Sequence, residues 1–222
     1  MRPQITWYFD FISPYAWLQN RQLKQFAALA DIEFKPILFA GLLKRWGQLG
    51  PAEIVPKRQW TFEQIAWLAN QTGAPLNMPP AHPFNPLPLL RACLAAGPSV
   101  ASVQKIFAFI WEQGHAVEHA SDFNSLLAEL NITQIDLENP TIKQALLDNT
   151  NQAIAQQIFG VPTIVLTTDA LTAQRFWGFD STPMVLSALR GDLFWTSPAF
   201  IQASKLPPGK NRPKPQLFSG EG

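Results

Sequence analysis

One stretch, Trp7 to Asn20 (WYFDFISPYAWLQN), limits the folds open to this chain more than any other, because it turns an apolar strand directly into a helix. Ile5, Trp7, Phe9 and Phe11 fall at alternate positions with aromatic and β-branched residues between them, which predicts a strand buried on both faces. Ser13 as N-cap, Pro14 at the first helical position and an apolar stripe at Ala16, Leu23, Phe26, Ala27 and Ala30 predict the helix. Ser13 then sits where unpaired backbone N–H groups converge, and an anion such as a thiolate placed there gains both hydrogen bonds and dipole stabilisation. Ser-Pro also opens many helices that bind nothing, so the rest of the chain has to decide.

The 222 residues are 47% hydrophobic, enough for one substantial core or a core plus a subdomain. A net charge of +1 gives no electrostatic case for nucleic acid or an anionic membrane, and no apolar run reaches the roughly eighteen residues of a membrane span. Met1-Arg2-Pro3 leads straight into the first strand without the apolar core of a secretory signal, so a cytoplasmic protein is expected. The single cysteine, Cys93, lies in an apolar helical run and is expected in the core, which excludes an internal disulfide or a CxxC pair.

After the first helix, Ile32 to Leu38 reads as a second strand that Pro36 pushes to an edge or an end, closing a β-α-β unit. The next roughly 120 residues read as helical, an insertion rather than the next strand. Phe39 to Arg58 is expected to form turns and short helical pieces near a cleft, and Thr61 to cap a helix through about Gln71. Met78 to Pro88, with five prolines, is stiff and disfavours helix until Leu89. Helices are predicted at about Leu89–Ala96, Val100–Gln113, Asp122–Leu130 and Thr141–Phe159, with caps such as Ser121 and Thr141. Thr163–Leu166 and Gln174–Trp177 read as a hairpin, a last helix runs from about Pro183 to Arg190, and a Pro- and Lys-rich tail follows Ser197.

These segments, in this order, resemble a thioredoxin-like α/β fold interrupted by an all-α insertion. FDFISPYAWL, GQLGPAEI, Lys57, FNP, FGVPT and FWGFD narrow the resemblance to 2-hydroxychromene-2-carboxylate isomerases and kappa-class glutathione transferases, over about residues 4 to 190. The expected organisation is 1–38 and 156–197 as the two parts of the thioredoxin-like fold, 39–155 as the helical insertion domain and 198–222 as the tail.

Relatives that oxidise dithiols carry a reactive cysteine at the helix start, where this chain has Ser13, so dithiol chemistry is excluded there. The resemblance implies that glutathione brings the sulfur and that the Ser13 hydroxyl donates to its thiolate. A free thiol has a pKa of about 8.5, and lowering it by two units takes only about 2.7 kcal/mol. The resemblance further implies a cis Val161–Pro162 bond with Val161 as a backbone ligand of glutathione, Lys57 near a carboxylate, and Trp177, Gly178, Phe179 and Asp180 as the element that receives the γ-glutamyl ammonium. Kappa-class members carry serine before this aspartate and arginine after it, where this chain has Phe179 and Ser181. Gln48, Glu53, Ile54 and Phe84 match substrate-side positions, Gln48 in place of the commoner asparagine; Lys44 is displaced by one position from a lysine of some isomerases. Phe84 and Trp46 are candidates for apolar walls.

His115-Ala116-Val117-Glu118-His119 spells the H-x-x-E-H zinc-protease pattern, but Gly114 and Ser121 place it between helices, where its two histidines would not share a helix face. No metal is expected. The function implied is a glutathione-dependent cis–trans isomerase, a homodimer acting on an aromatic or conjugated 2-oxo acid in aromatic catabolism. The alternatives are a kappa-class-like transferase that releases the conjugate and a glutathione- or peptide-binding module without turnover.

Overall fold

The computed structural model describes residues 2–168 and 171–209. Four strands form one sheet in the order β2-β1-β3-β4: β1 (Gln4–Phe9), β2 (Asp31–Pro36), β3 (Thr163–Thr168) and β4 (Leu171–Trp177). β1 runs parallel to β2 and antiparallel to β3, so Trp7 lies opposite Phe34 on one side and Ile164 on the other. A strand with neighbours on both edges and helices on its faces has no solvated side, and Ile5, Trp7, Tyr8 and Phe9 are fully buried. Pro36 closes the edge strand β2, where its missing N–H costs no ladder bond. The hairpin reaches further than its sequence pattern suggests, because β4 begins at Leu171.

The helix that follows β1 is broken. It divides into α1 (Pro14–Asn20) and α2 (Leu23–Ala27), because Gln22 N–H bonds the carbonyl of Gln19, three residues back, and tightens the turn. Seven helices then span 39–155: α3 (Phe39–Trp46), α4 (Val55–Thr72), α5 (Leu87–Ala95), α6 (Val100–Trp111), α7 (Ala120–Glu129), α8 (Gln134–Glu138) and α9 (Pro140–Ala155).

Several helix starts differ from the sequence expectation. α4 begins six residues before Thr61, at the Val55-Pro56 start signal, and the Thr61 hydroxyl bonds back to the Lys57 carbonyl at 2.8 Å within the helix. α7 follows His119 rather than Ser121, and α9 is capped by Asn139, whose side chain accepts from Thr141 N–H at 2.9 Å, with Pro140 in the first turn. A 3-10 turn at Phe179–Ser181 leads into α10 (Thr182–Leu189). The segment after Ser197 starts as a helix, α11 (Pro198–Ser204), capped by Ser197 and anchored by Phe200 against Trp195 at 5.2 Å. The remainder of the predicted tail, from 210, lies outside the described residues.

The larger of two buried apolar clusters runs from the sheet into the helices, and a smaller one packs Tyr8 and Val165 of the sheet with Leu42 of α3 and Ala153 of α9. Phe107 on α6 lies 4.7 to 6.2 Å, ring to ring, from Trp7, Phe9 and Phe11, and the Trp111 indole donates to the Phe11 carbonyl at 2.9 Å. Cys93 is fully buried in α5, and burial pushes its thiol pKa up. Among the described residues no helix is long and apolar enough to cross a membrane.

Candidate active site

The strand-to-helix turn after β1 forms one wall of a cavity of about 640 Å³. Ser13 sits in that wall with extended backbone (φ −90°, ψ 113°), and its Oγ accepts from Ala16 N–H at 3.2 Å. Its own N–H donates to the Asp10 carbonyl at 3.1 Å, closing the turn. The serine is almost buried, and its hydroxyl hydrogen has no protein acceptor among the described residues. α1 is only seven residues long, so its dipole is weaker than one continuous helix to Ala30 would give.

The other walls come from four separate segments. Leu38 to Ala40 at the start of α3 lie beside Ser13, and Gln48 to Glu53 with the first turns of α4, carrying Lys57 and Arg58, form the mouth. His82, Pro83 and Phe84 form an aromatic side, with His82 rings 5.1 Å from Phe62 and 5.8 Å from Phe84. Phe159 to Val161 and Trp177 close the remaining side. The Val161–Pro162 peptide is cis, and neither the N–H nor the C=O of Val161 makes a backbone hydrogen bond among the described residues.

A buried glutamine joins these pieces. Gln19 on α1 accepts from the Trp7 indole at 2.8 Å and donates to the Gly178 carbonyl at 3.1 Å, while Gly178 N–H donates to the Pro162 carbonyl at 2.9 Å. The loop after β4 is thereby tied to the Val161–Pro162 loop and to the Ser13 helix. The Trp177 indole lies over Gly160, where a methyl group would come within 2.4 Å of it; only glycine leaves that space.

The charges divide the cavity. Lys57 and Arg58 form no salt bridge among the described residues, so both cations at the mouth are available to an anion, and the Arg58 guanidinium lies 5.8 Å over the Phe62 ring. The Glu53 carboxylate instead accepts from Gly50 N–H and closes the turn before α4. The His82 Nε2–H donates to the Ile12 carbonyl at 2.9 Å, and Nδ1 is buried without a partner. Burial holds the His82 pKa low, the bond to Ile12 opposes this, and the Arg58 charge adds to the lowering, so the ring is neutral at physiological pH. Asp10, fully buried behind the Ser13 turn, has its carboxyl pKa raised by burial to about 7, against the opposing pull of backbone N–H bonds from Phe39, Ile12 and Phe11.

Of the residues singled out from sequence, Ser13, Gln48, Glu53, Lys57, Phe84, Val161 and Trp177 line this cavity. Lys44, Ile54, Gly178, Phe179 and Asp180 lie outside its lining. Phe179 packs against the core, and Asp180 is exposed but close enough that its charge, after burial, contributes to raising the pKa of Tyr15 in the cavity wall. Trp46, considered above as a wall, donates instead to the Ile158 carbonyl at 2.8 Å. Asp10, Tyr15, Arg58 and His82 also line the cavity and were not singled out. Asp10 was visible as an acid inside an apolar strand, and Arg58 as the cation beside Lys57; nothing local distinguished His82 among its prolines.

His115 and His119 both turn toward Asp122, at 3.0 and 3.8 Å, from the loop before α7. Among the described residues no group of three His, Cys, Asp or Glu side chains is placed to hold a metal ion.

Residues 4–190 match the model of the DSBA-like thioredoxin domain. The kappa 1 glutathione S-transferase of Rattus norvegicus is 24% identical over 188 residues, 76% of this chain and 83% of the relative. The 2-hydroxychromene-2-carboxylate isomerase of Pseudomonas putida is 25% identical over 199 residues, 83% of this chain and 93% of the relative. A solved structure of a 2-hydroxychromene-2-carboxylate isomerase superposes with a TM-score of 0.74 at 25% identity, covering 87% of this chain and 97% of that one.

Proposed function

Since this chain belongs to the family of DSBA-like thioredoxin domains, we propose that its cavity binds glutathione beside a conjugated 2-oxo acid and catalyses cis–trans isomerisation of that acid. The observation that carries this reading is a serine, with no cysteine near it, at the helix start of a cavity that combines a backbone edge and two cations, all without partners among the described residues, with an aromatic wall. A dithiol oxidoreductase would need its own sulfur there; a glutathione enzyme needs a place to hold one.

The residues present fit the tripeptide. Ser13 would orient and donate to the sulfur, and the free N–H and C=O of Val161 suit an extended peptide backbone. Lys57 and Arg58 suit carboxylates of the tripeptide and of the oxo acid. Asp180 would have to take the γ-glutamyl ammonium from the rim rather than from inside the cavity.

Bound glutathione supplies a thiolate for reversible addition to the activated C=C bond, replacing one high rotational barrier by two lower steps. The chain's own part is to hold the reactants in register, exclude water with His82, Phe84 and Trp177, and stabilise with Lys57 or Arg58 the negative charge that moves onto the oxo acid. Neutral His82 keeps an added positive charge away from the aromatic wall.

A kappa-class-like transferase that releases the conjugate is the second reading, favoured by the rat relative at nearly the same identity as the isomerase. Calorimetric titration with glutathione, followed by isomerisation assays on conjugated 2-oxo acids with and without it, tests the proposal. Binding together with glutathione-dependent isomerisation is expected. No binding heat and equal rates without glutathione would refute it, and accumulation of a stable conjugate would select the transferase. A homodimer, read from the resemblance, is checked by sedimentation.

A further inference from the structure

Asp10 takes no part in holding a ligand in the reading above, yet it is the most desolvated ionisable group at the cavity. Its Oδ1 accepts from Ile12 N–H at 3.1 Å and its Oδ2 from Phe39 N–H at 2.9 Å, while its own carbonyl receives Ser13 N–H at 3.1 Å. The carboxyl and the Ser13 position therefore belong to one turn and are fixed to each other through the backbone.

Among the described residues no cation pairs with this acid. Tyr8 on its own strand, Tyr15 on α1, Glu53, Lys57 and Arg58 at the cavity mouth and His82 opposite give it neither a hydrogen bond nor a salt bridge among the described residues. The two cations of α3, Lys44 and Arg45, are exposed and outside the cavity lining. Among the described residues, backbone N–H groups alone support the charge. A second anion arriving at the same turn, with both residues lining the cavity, must compete with it, because like charges in one desolvated site disfavour each other's ionisation.

We propose that Asp10 is a buried charge regulator for position 13: its carboxyl and a sulfur seated at Ser13 share one negative charge, so that ionising the sulfur draws a proton onto Asp10. The thiol gives up its proton as the carboxylate takes one, and the turn keeps a single charge throughout. The raised acidity range of the buried carboxyl, about 7, lets it hold that proton near neutrality, where a bound thiol would ionise. Asp10 acts on the sulfur through its field and the shared turn, as a positioning residue.

The inference can be tested without glutathione, so it stands or falls independently of the isomerase reading. Ser13→Cys puts a protein-borne thiol at the position in question, and Cys93, fully buried with its own pKa raised, stays out of the titration range. Thiolate absorbance and the rate of alkylation by iodoacetamide are followed against pH. Ser13→Cys alone should ionise in two coupled steps. Adding Asp10→Asn should leave a single step and lower the thiol pKa by roughly one unit or more. A single step in Ser13→Cys, or an unchanged thiol pKa in the double variant, overturns the proposal. If Asp10→Asn disturbs folding, the Ser13→Cys profile decides: two steps sustain the inference, and one step ends it.

Discussion

At the scale of single residues, Asp10 has a cost that pH exposes. Its carboxyl pKa rises from 3.8 to about 7 on folding, so the folded chain holds a proton that the unfolded chain has lost. The stability this contributes is fully present below the unfolded value and is lost as pH rises through about 7. Over that interval the change is on the order of 4 kcal/mol. Asp10→Asn has no such proton, so urea midpoints of wild type and variant should converge or cross as pH rises from about 4 to about 7, and run parallel above it. A constant gap across that range would contradict the buried-acid account. The sequence offered the acid itself, set between Phe9 and Phe11, but its surroundings depend on Leu38 and Phe39, which no local pattern brings to it. Lys57 and Arg58 stand side by side in sequence, yet that both line one cavity is settled by residues far along the chain.

At the scale of elements, the wall beside Ser13 depends on how α9 meets α3. The Thr150 hydroxyl of α9 accepts from Leu38 N–H at 3.1 Å and donates to the Leu146 carbonyl at 2.8 Å, in place of the side-chain cap that α3 lacks. Its methyl side lies against Gly41, where an added Cβ would come within 2.9 Å of Cγ2. Thr150→Val keeps the shape and leaves the Leu38 N–H unpaired. The expected loss is about 1–3 kcal/mol, with faster hydrogen exchange at Leu38 and Phe39, read by exchange mass spectrometry. Exchange unchanged at those amides would show that α3 does not need this bond. The start signal was legible at Ser13-Pro14, whereas at Asn139-Pro140 the neighbouring Thr141 competed with it as a cap. The same signal at Ser197-Pro198 was hidden by the proline-rich composition that follows, and Val55-Pro56 by the glycines before it. The break at Gln22 left no breaker residue to find.

At the scale of the whole molecule, the helices of 39–155 meet the sheet in two apolar clusters, the larger with Phe107 set against Trp7, Phe9 and Phe11 and the smaller with Leu42 and Ala153 against Tyr8 and Val165. Removing either side would expose the other's aromatic face. Chemical unfolding followed by tryptophan fluorescence and by far-ultraviolet circular dichroism should therefore give coincident single transitions. Two separated transitions would show that 39–155 folds as a unit of its own.

The alternating aromatic strand, the Ser13-Pro14 start, the long helical stretch and the closing hairpin were determined by the sequence alone, because hydrophobic period and helix caps are local properties of the chain. The cavity was decided only by tertiary structure. Its walls come from segments around positions 13, 39, 57, 84, 161 and 177, and both their burial and the freedom of their polar groups depend on which distant neighbours fill the space between them.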